Sequence, residues 1–153
     1  MPSLSDKLKR WLIATRVWEI YVFMQKLPEP ENDLLSNLDD CIEDAFHVGN
    51  LRLYALWPSL NKKFAVLERY AFPRERLHID YYSYVLSEIG DRAIIRADSA
   101  PHHERDYHRK LLTNFPHHLH DEDGRICSFR GELEDFINLA VPYVRQKRNG
   151  LIG

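Results

Sequence analysis

The sequence predicts a single α+β domain in which an antiparallel sheet of about four or five strands lies beside N-terminal helices and a C-terminal helix. Apolar residues recur at helical spacing in residues 1–50 and again in 131–148. Residues 51–98 instead alternate with a period of two, and the short turns between them favour neighbouring antiparallel strands. Hydrophobic residues make up 44% of the 153 residues, which is enough for one domain with a core.

The predicted domain spans residues 1–153 and divides into three parts. These are a helical N-terminal extension at 1–50, the sheet with a histidine-rich loop at 51–130, and the C-terminal helix at 131–148. Two helices are predicted in the extension, over residues 3–26 and 31–47, and Gly49 ends the second. Residues 17–24 are rich in β-branched and aromatic residues, so a strand is an alternative there.

The predicted strands lie on both sides of the histidine-rich loop. Four precede it, at residues 51–57, 64–72, 77–86 and 93–98, and a short fifth follows at 125–129. Residues 104–112, inside the loop, are predicted to form two helical turns. The C-terminal helix is predicted over 132–144, with Pro142 near its end and acidic residues in its first turn.

Composition narrows the classes of function. The net charge of −2 gives no global basic field, so any contact with nucleic acid must be local. Two cysteines, Cys41 and Cys127, do not form a disulfide framework, which favours a reducing, cytoplasmic setting. The longest apolar run, residues 17–24, contains Glu19 and is too short for a membrane span, and no segment resembles a signal peptide. We therefore expect no membrane partner.

Histidine is concentrated in residues 98–120, which hold six of the eight histidines of the chain. They are His102, His103, His108, His117, His118 and His120. Proline precedes both His-His pairs, at residues 102–103 and 117–118, and restricts the backbone that presents them. Imidazole can give or take a proton near neutral pH, or bind a metal. In an extended chain, His118 and His120 would point to one face. A solvated, histidine-rich surface loop is the alternative interpretation.

The same region carries a resemblance to a known family. The motifs are Tyr82-Ser83-Tyr84, Ala93-Ile94-Ile95-Arg96, Asp98-Ser99-Ala100-Pro101-His102-His103 and Phe115-Pro116-His117-His118-Leu119-His120. Together they resemble the TumE-like toxins of prokaryotic type II toxin–antitoxin systems, over residues 64–145. The family pattern has Asn where this chain has Ser99, and Lys where it has Leu119. If that Lys steadies a phosphate, another base such as Arg96 or Arg109 must do so here.

The resemblance implies a cytoplasmic toxin that acts on RNA and is neutralised by a cognate antitoxin protein. A homodimer is a further open possibility. A metal-independent ribonuclease needs a base, an acid and cations near the phosphate, and two histidines can serve as base and acid. The catalytic candidates are His102, His103, His117, His118 and Asp98, with His103 and His118 as the preferred pair. The substrate-binding candidates are Arg96, Arg109 and His120. Asp98 is expected to orient a histidine, although Arg96 and Asp98 could also form a simple surface ion pair.

Two alternatives remain open, and the first is a metal site. The ribonuclease hypothesis needs no cofactor, whereas His118, His120 and either His102 or His103 would supply three imidazoles to zinc or another divalent metal. No His-Glu-x-x-His or Cys-x-x-Cys motif supports this.

The second alternative is a non-catalytic protein-binding module. It would use the acidic stretch of residues 29–44 or the aromatic strands. The aromatic candidates for such contacts, or for stacking on bases, are Tyr70, Phe72, Tyr81, Tyr82 and Tyr84.

Overall fold

The computed structural model describes residues 5–145 as an α+β domain, as the sequence predicts. The three α-helices are α1 (Asp6–Met24), α2 (Leu38–Val48) and α3 (Leu133–Val144). The strands are β1 (Asn50–Trp57), β2 (Lys62–Ala71), β3 (His78–Glu88), β4 (Ala93–Asp98), β5 (His118–His120) and β6 (Ile126–Ser128). The expected end of the C-terminal helix beyond residue 145 lies outside the described residues.

All six strands form one antiparallel sheet in sequence order, β1-β2-β3-β4-β5-β6. The prediction of an antiparallel meander is confirmed, but the count of four or five strands is wrong. The missed strand is β5, which is only three residues long and lies inside the histidine-rich loop. So short a strand cannot be recognised from alternation, because a period of two needs several residues to stand out.

The helices pack on one face of the sheet, and the core lies between them. Alternate strand residues such as Leu53, Phe64 and Leu86 are buried there against the helices. The other face carries the intervening residues, from Arg52 and Tyr54 in β1 to His118 and His120 in β5, and we call it the open face. No helix within residues 5–145 covers it. The sheet therefore separates the apolar core from the side that holds the histidines.

Helix α1 extends through the segment for which a strand was an alternative. Ser5 caps its start, because the Ser5 hydroxyl accepts a hydrogen bond from the Leu8 amide at 3.2 Å. Its buried residues are Ile13, Val17, Ile20 and Met24, at helical spacing. Burial of that stripe outweighs the strand propensity of the β-branched residues.

Helix α2 is shorter than the predicted helix at 31–47, because the segment before Leu38 is tied to the sheet. The side-chain amide of Asn32 donates to the Tyr54 carbonyl at 2.9 Å, and its oxygen accepts from the Leu56 amide at 2.8 Å. Asn32 thus satisfies backbone groups on edge strand β1. The helix ends at Gly49, which has a φ of 87° as a left-handed cap requires.

The two helical turns predicted at residues 104–112 are wrong. A bridge between Arg105 and Leu111 closes a turn there instead. A carboxylate oxygen of Asp106 accepts the amides of His108 and Lys110 at 2.8 and 3.0 Å, and Arg109 has a φ of 66°. Aspartate favours such local side-chain bonds over a helix interior.

A buried ion pair fastens α1 to the sheet. Glu68 of β2 is fully buried, and its carboxylate accepts Arg16 Nε and Nη2 at 3.0 and 2.7 Å. The hydroxyls of Tyr70 and Tyr84 donate to the same carboxylate at 2.8 and 2.6 Å. This contact raises the pKa of the Arg16 guanidinium although burial opposes it. Every strong acceptor site of the carboxylate is used, which is what a buried charge requires.

Within residues 5–145, no helix has both the length and the hydropathy needed to cross a bilayer. Cys41 and Cys127 are free thiols. Of the tyrosines considered for stacking on bases, Tyr70, Tyr82 and Tyr84 are buried in the core, so they cannot reach a ligand on the surface.

We predict that Glu68→Gln destabilises the fold by about 3–5 kcal/mol, because it removes the buried partner of Arg16. Within residues 5–145, Arg16 then keeps only the exposed Glu19 as an ion-pair partner. The measurement is the free energy of unfolding in urea. Glu134→Gln is the matched control, since Glu134 forms an ion pair with Lys26 at the surface and should change stability by at most about 1 kcal/mol. Equal losses in the two variants would contradict the structural role of Glu68.

Candidate functional site

The pairing of β4 with β5 builds the candidate site on the open face. Arg96 lies opposite His120, and Asp98 lies opposite His118. Side chains that are directly opposite in an antiparallel pair are neighbours on the same face. The candidate residues Arg96 and Asp98 therefore lie beside two histidines that are about twenty positions further along the chain.

His103 joins these strands from the loop that follows β4. Its ring centroid lies 5.1 Å from that of His118 and 5.4 Å from that of His120, and the His118 and His120 centroids are 5.0 Å apart. We call His103, His118 and His120 the histidine cluster. One ring nitrogen of each lies within 4.8 Å of the others. The predicted alignment of His118 with His120 on one face is confirmed, because β5 is extended.

His118 is the buried centre of the cluster, with 1% of its surface exposed. Its Nδ1 lies 2.9 Å from the Pro116 carbonyl, to which it donates, and its Nε2 lies 3.3 Å from Asp98 Oδ1. Asp98 therefore lies where it could orient the His118 ring, which is the role that the sequence analysis expects of it.

Arg96 supplies a positive charge at the edge of the cluster. One of its terminal nitrogens, Nη2, donates to His120 Nε2 at 2.9 Å, which makes Nε2 the unprotonated nitrogen of that ring. Its Nε lies 3.4 Å from Asp98 Oδ2 but has no hydrogen-bond partner among residues 5–145. That Nε is itself buried, but the Arg96 side chain is 43% exposed, so its terminal nitrogens can bind an oxyanion.

Two accessible members of the cluster are held neutral. Burial, together with the charge of Arg96, lowers the pKa of His120 to about 4. Burial and the nearby His118 and His102 also lower the pKa of His103. Both imidazoles are therefore neutral at pH 7, and each presents a nitrogen lone pair that can accept a proton or bind a metal.

The histidine cluster also has the donor set of a metal site. Three imidazoles with a water is a common arrangement for catalytic zinc, and three ligand atoms within 4.8 Å of one another fit it. Arg96 opposes this use, because its guanidinium already occupies the Nε2 lone pair of His120. A cation bound through Nε2 would have to displace Arg96 and would face its positive charge.

Three candidates predicted from the sequence lie apart from the cluster. His102 is exposed, with its ring 6.5 Å from His103. His117 points to the opposite face, where its Nδ1 lies 3.0 Å from the Tyr82 hydroxyl, and a side chain at Gly131 would collide with its ring. Arg109 is exposed in the turn at 105–111, where its carbonyl accepts a hydrogen bond from Arg105. The second Pro-His-His triplet is thus divided between the core and the site.

A groove of about 530 Å³ runs from the cluster along the side of β4. Arg96 and His120 line one end, and Arg92 with the turn at residues 121–124 lines the other.

Sequence analysis did not identify the Pro116 carbonyl, which accepts a hydrogen bond from His118. A pattern of side chains does not show which donor a backbone oxygen will bind.

Comparison with protein-family models found none that matches this chain, and searches of curated proteins and of solved structures returned no match.

We predict that His120 stays neutral until the pH falls to about 4. In the unfolded chain it should titrate near the ordinary value of about 6.5, so between these values only the unfolded chain binds the proton. The free energy of unfolding should therefore fall as the pH drops through this window. An NMR titration of the carbon-bound protons of the imidazole measures the pKa of His120 directly. Arg96→Gln should raise the pKa, and an unchanged value would contradict the contribution of Arg96.

Proposed function

We propose that the protein is a metal-independent ribonuclease that uses two histidines as acid and base. One observation carries the proposal: the ring centroids of two accessible imidazoles, His103 and His120, lie 5.4 Å apart beside the partly exposed guanidinium of Arg96. That arrangement combines proton transfer with phosphate binding in one place.

The chemistry is transfer of a phosphoryl group within RNA. A neutral imidazole takes the proton from a ribose 2′-hydroxyl, and the 2′-oxygen forms a bond to the adjacent phosphorus. The bond from phosphorus to the 5′-oxygen breaks, and the other imidazole gives a proton to that oxygen. Both rings are neutral in the free protein, so this second imidazole takes up its proton when the anionic phosphate lies beside it, because a nearby negative charge raises the pKa of an imidazole. The products are a 2′,3′-cyclic phosphate and a free 5′-hydroxyl. No metal or redox partner is required for this balance.

His103 and His120 are the pair we place at the substrate. The sequence favours His103 with His118, but both nitrogens of His118 face oxygen atoms, and its side chain is buried. In this proposal His118 is a positioning residue that contacts both other rings. Asp98 holds it in place, as an orienting carboxylate does for a catalytic histidine.

Arg96 is the phosphate-binding residue of the proposal. Its Nη2 rests on His120 in the free protein. A phosphate that attracts the guanidinium would release the Nε2 lone pair of His120 and would raise the affinity of that nitrogen for a proton. Substrate binding would thus prepare the base. Arg109 has no part in this step, because it lies in the turn at 105–111.

The cellular role we propose is that of a cytoplasmic toxin, neutralised by a cognate antitoxin protein. Support comes from the resemblance to TumE-like toxins and from the convergence of its motif residues. Arg96, Asp98, His103, His118 and His120 all belong to those motifs, and they meet in one site. Residues that are distant in sequence and adjacent in space are typical of active sites.

The second candidate is a metal-dependent hydrolase with the same cluster as ligands. The observation that favours it is the mutual distance of at most 4.8 Å between the three ligand atoms. A zinc ion there would activate a water for attack on the phosphate. The contact between Arg96 and His120 favours the metal-independent hypothesis, because the guanidinium occupies the nitrogen that would bind the metal.

We predict that His103→Ala and His120→Ala each lower the rate of RNA cleavage by about 10²–10⁴-fold, as loss of a general acid or base does. The measurement is cleavage of RNA by purified protein, with detection of the cyclic phosphate. In cells, wild type should arrest growth and both variants should not, at matched soluble expression.

The control for this prediction is His108→Ala. His108 belongs to the same loop but stacks on Tyr107 at 4.0 Å, in the exposed turn, and should keep full activity. A chelator should leave wild-type cleavage unchanged. Activity that a chelator abolishes and zinc restores would favour the second candidate. Wild-type protein that neither cleaves RNA nor arrests growth would overturn the toxic ribonuclease.

A further inference from the structure

The open face of the sheet continues from the histidine cluster to the far edge at β1. Its residues pair directly from strand to strand in the order His120, Arg96, Val85, Ala65 and Tyr54. Adjacent strands are about 4.8 Å apart, so Tyr54 lies roughly 14 Å from Arg96 across the sheet. One uninterrupted surface therefore joins the site to an exposed tyrosine.

The charged groups on this surface favour an anionic ligand. Arg52 and Lys63 are accessible, and neither forms an ion pair with another residue of the range 5–145. On the face itself, Asp80 and Asp98 are each paired with an arginine. Acidic segments at 29–33 and 121–123 lie at its two edges. The face is locally basic although the whole chain has a net charge of −2. Charges elsewhere on the protein thus conceal a basic patch that composition does not reveal.

Two tyrosines on the open face are placed to stack on planar groups. Tyr54 is 43% exposed, and the Lys63 ammonium lies 4.5 Å from its ring centroid. Tyr81 is half-buried, with the Arg69 guanidinium 5.5 Å from its ring centroid. Tyr81 lies two residues before Ser83, which pairs with Asp98, so its ring is on the same face as the histidine cluster and near it. Each aromatic ring is thus accompanied by a cation, a combination that suits bases and phosphates together.

We propose that the open face binds the single-stranded RNA substrate and leads it to the histidine cluster. The inference rests on the ribonuclease proposed above and adds where the flanking nucleotides lie. Bases would stack on Tyr81 near the cluster and on Tyr54 at the far edge, and Arg52 and Lys63 would contact phosphates. Exposed rings on an open sheet stack bases in other RNA-binding modules by the same physics.

Single-stranded RNA fits better than duplex or protein. Bases in a duplex are stacked on each other and cannot reach a flat sheet face, whereas unpaired bases can. The centre of this face is mostly apolar, with Ala65, Leu67 and Val85 beside Ser83, but the cations Arg52, Lys63 and Arg96 surround it. Cations arranged in this way favour a polyanion over a protein partner. Stacking and phosphate contacts need no base-specific hydrogen bonds, so the expected recognition tolerates many sequences.

The experiment measures binding of a short fluorescent RNA whose 2′-hydroxyls are methylated, by anisotropy with the full-length protein. Methylation removes the nucleophile, so binding is observed without cleavage. We expect Tyr54→Ala to weaken binding roughly tenfold through loss of stacking. The double variant Arg52→Gln with Lys63→Gln should reduce the slope of log affinity against log salt by about 1.4, since two phosphate contacts are lost.

Matched controls lie away from the open face. Tyr107 is 47% exposed in the turn at 105–111, so Tyr107→Ala removes an equally accessible ring. Lys26→Gln with Arg130→Gln removes the same charge from cations that pair with the acidic residues Glu134 and Asp135. Both controls should bind this RNA as wild type does.

Two results would overturn the inference. The first is that the open-face variants bind RNA as tightly as wild type, even if wild type cleaves RNA. The ribonuclease proposal would then hold, but RNA would not bind on the open face. The second is a wild-type dimer in sedimentation that Tyr54→Ala dissociates while RNA affinity is unchanged, because the face would then join two copies of the chain. Conversely, if the variants bind RNA more weakly but wild type cleaves none, RNA binding by the open face would be supported and the ribonuclease proposal would be contradicted.

Discussion

The site depends on the register between β4 and the three residues of β5. That pairing sets Arg96 opposite His120 and Asp98 opposite His118. A shift of one residue would turn both histidines to the helical face and bring Leu119 to the open face. The register is well determined because the helical face is buried: Ala97 and Leu119, which pair with each other, must point to the core. Apolar packing on the helical face thus determines which polar side chains meet on the open face.

The two faces of the sheet place opposite demands on polar groups. On the helical face, Glu68 is surrounded by donors, and its whole hydrogen-bonding capacity is spent on Arg16, Tyr70 and Tyr84. On the open face, Arg96 keeps a donor without an acceptor. A fully satisfied and buried network stabilises the fold, whereas the partly exposed Arg96 side chain can still bind a ligand. This contrast distinguishes the ion pair of Arg16 with Glu68 from that of Arg96 with Asp98.

The sequence predicts much of the fold because most of its signals are local. Alternation over residues 51–98 identified the first four strands, but the three residues of β5 were too few to be recognised as a strand. The burial of Glu68 was not predictable, because its partner Arg16 lies on a distant helix. Nor does a Pro-His-His triplet reveal that His117 turns to Tyr82 while His118 turns to Asp98. Such choices depend on which strand pairs beside the segment, and a single segment does not carry that information.

The turn at 105–111 has a consequence for how the chain can vary in length. The Leu112 amide donates to the Glu104 carbonyl at 2.9 Å, so the two ends of this turn already meet at its base. His103 lies before that base, and His118 lies after it. Because closing a longer loop costs little extra entropy, residues can be inserted or deleted beyond the base without moving either histidine. The excursion is therefore a place where the chain tolerates length changes, even though it lies in the middle of the most chemically constrained segment.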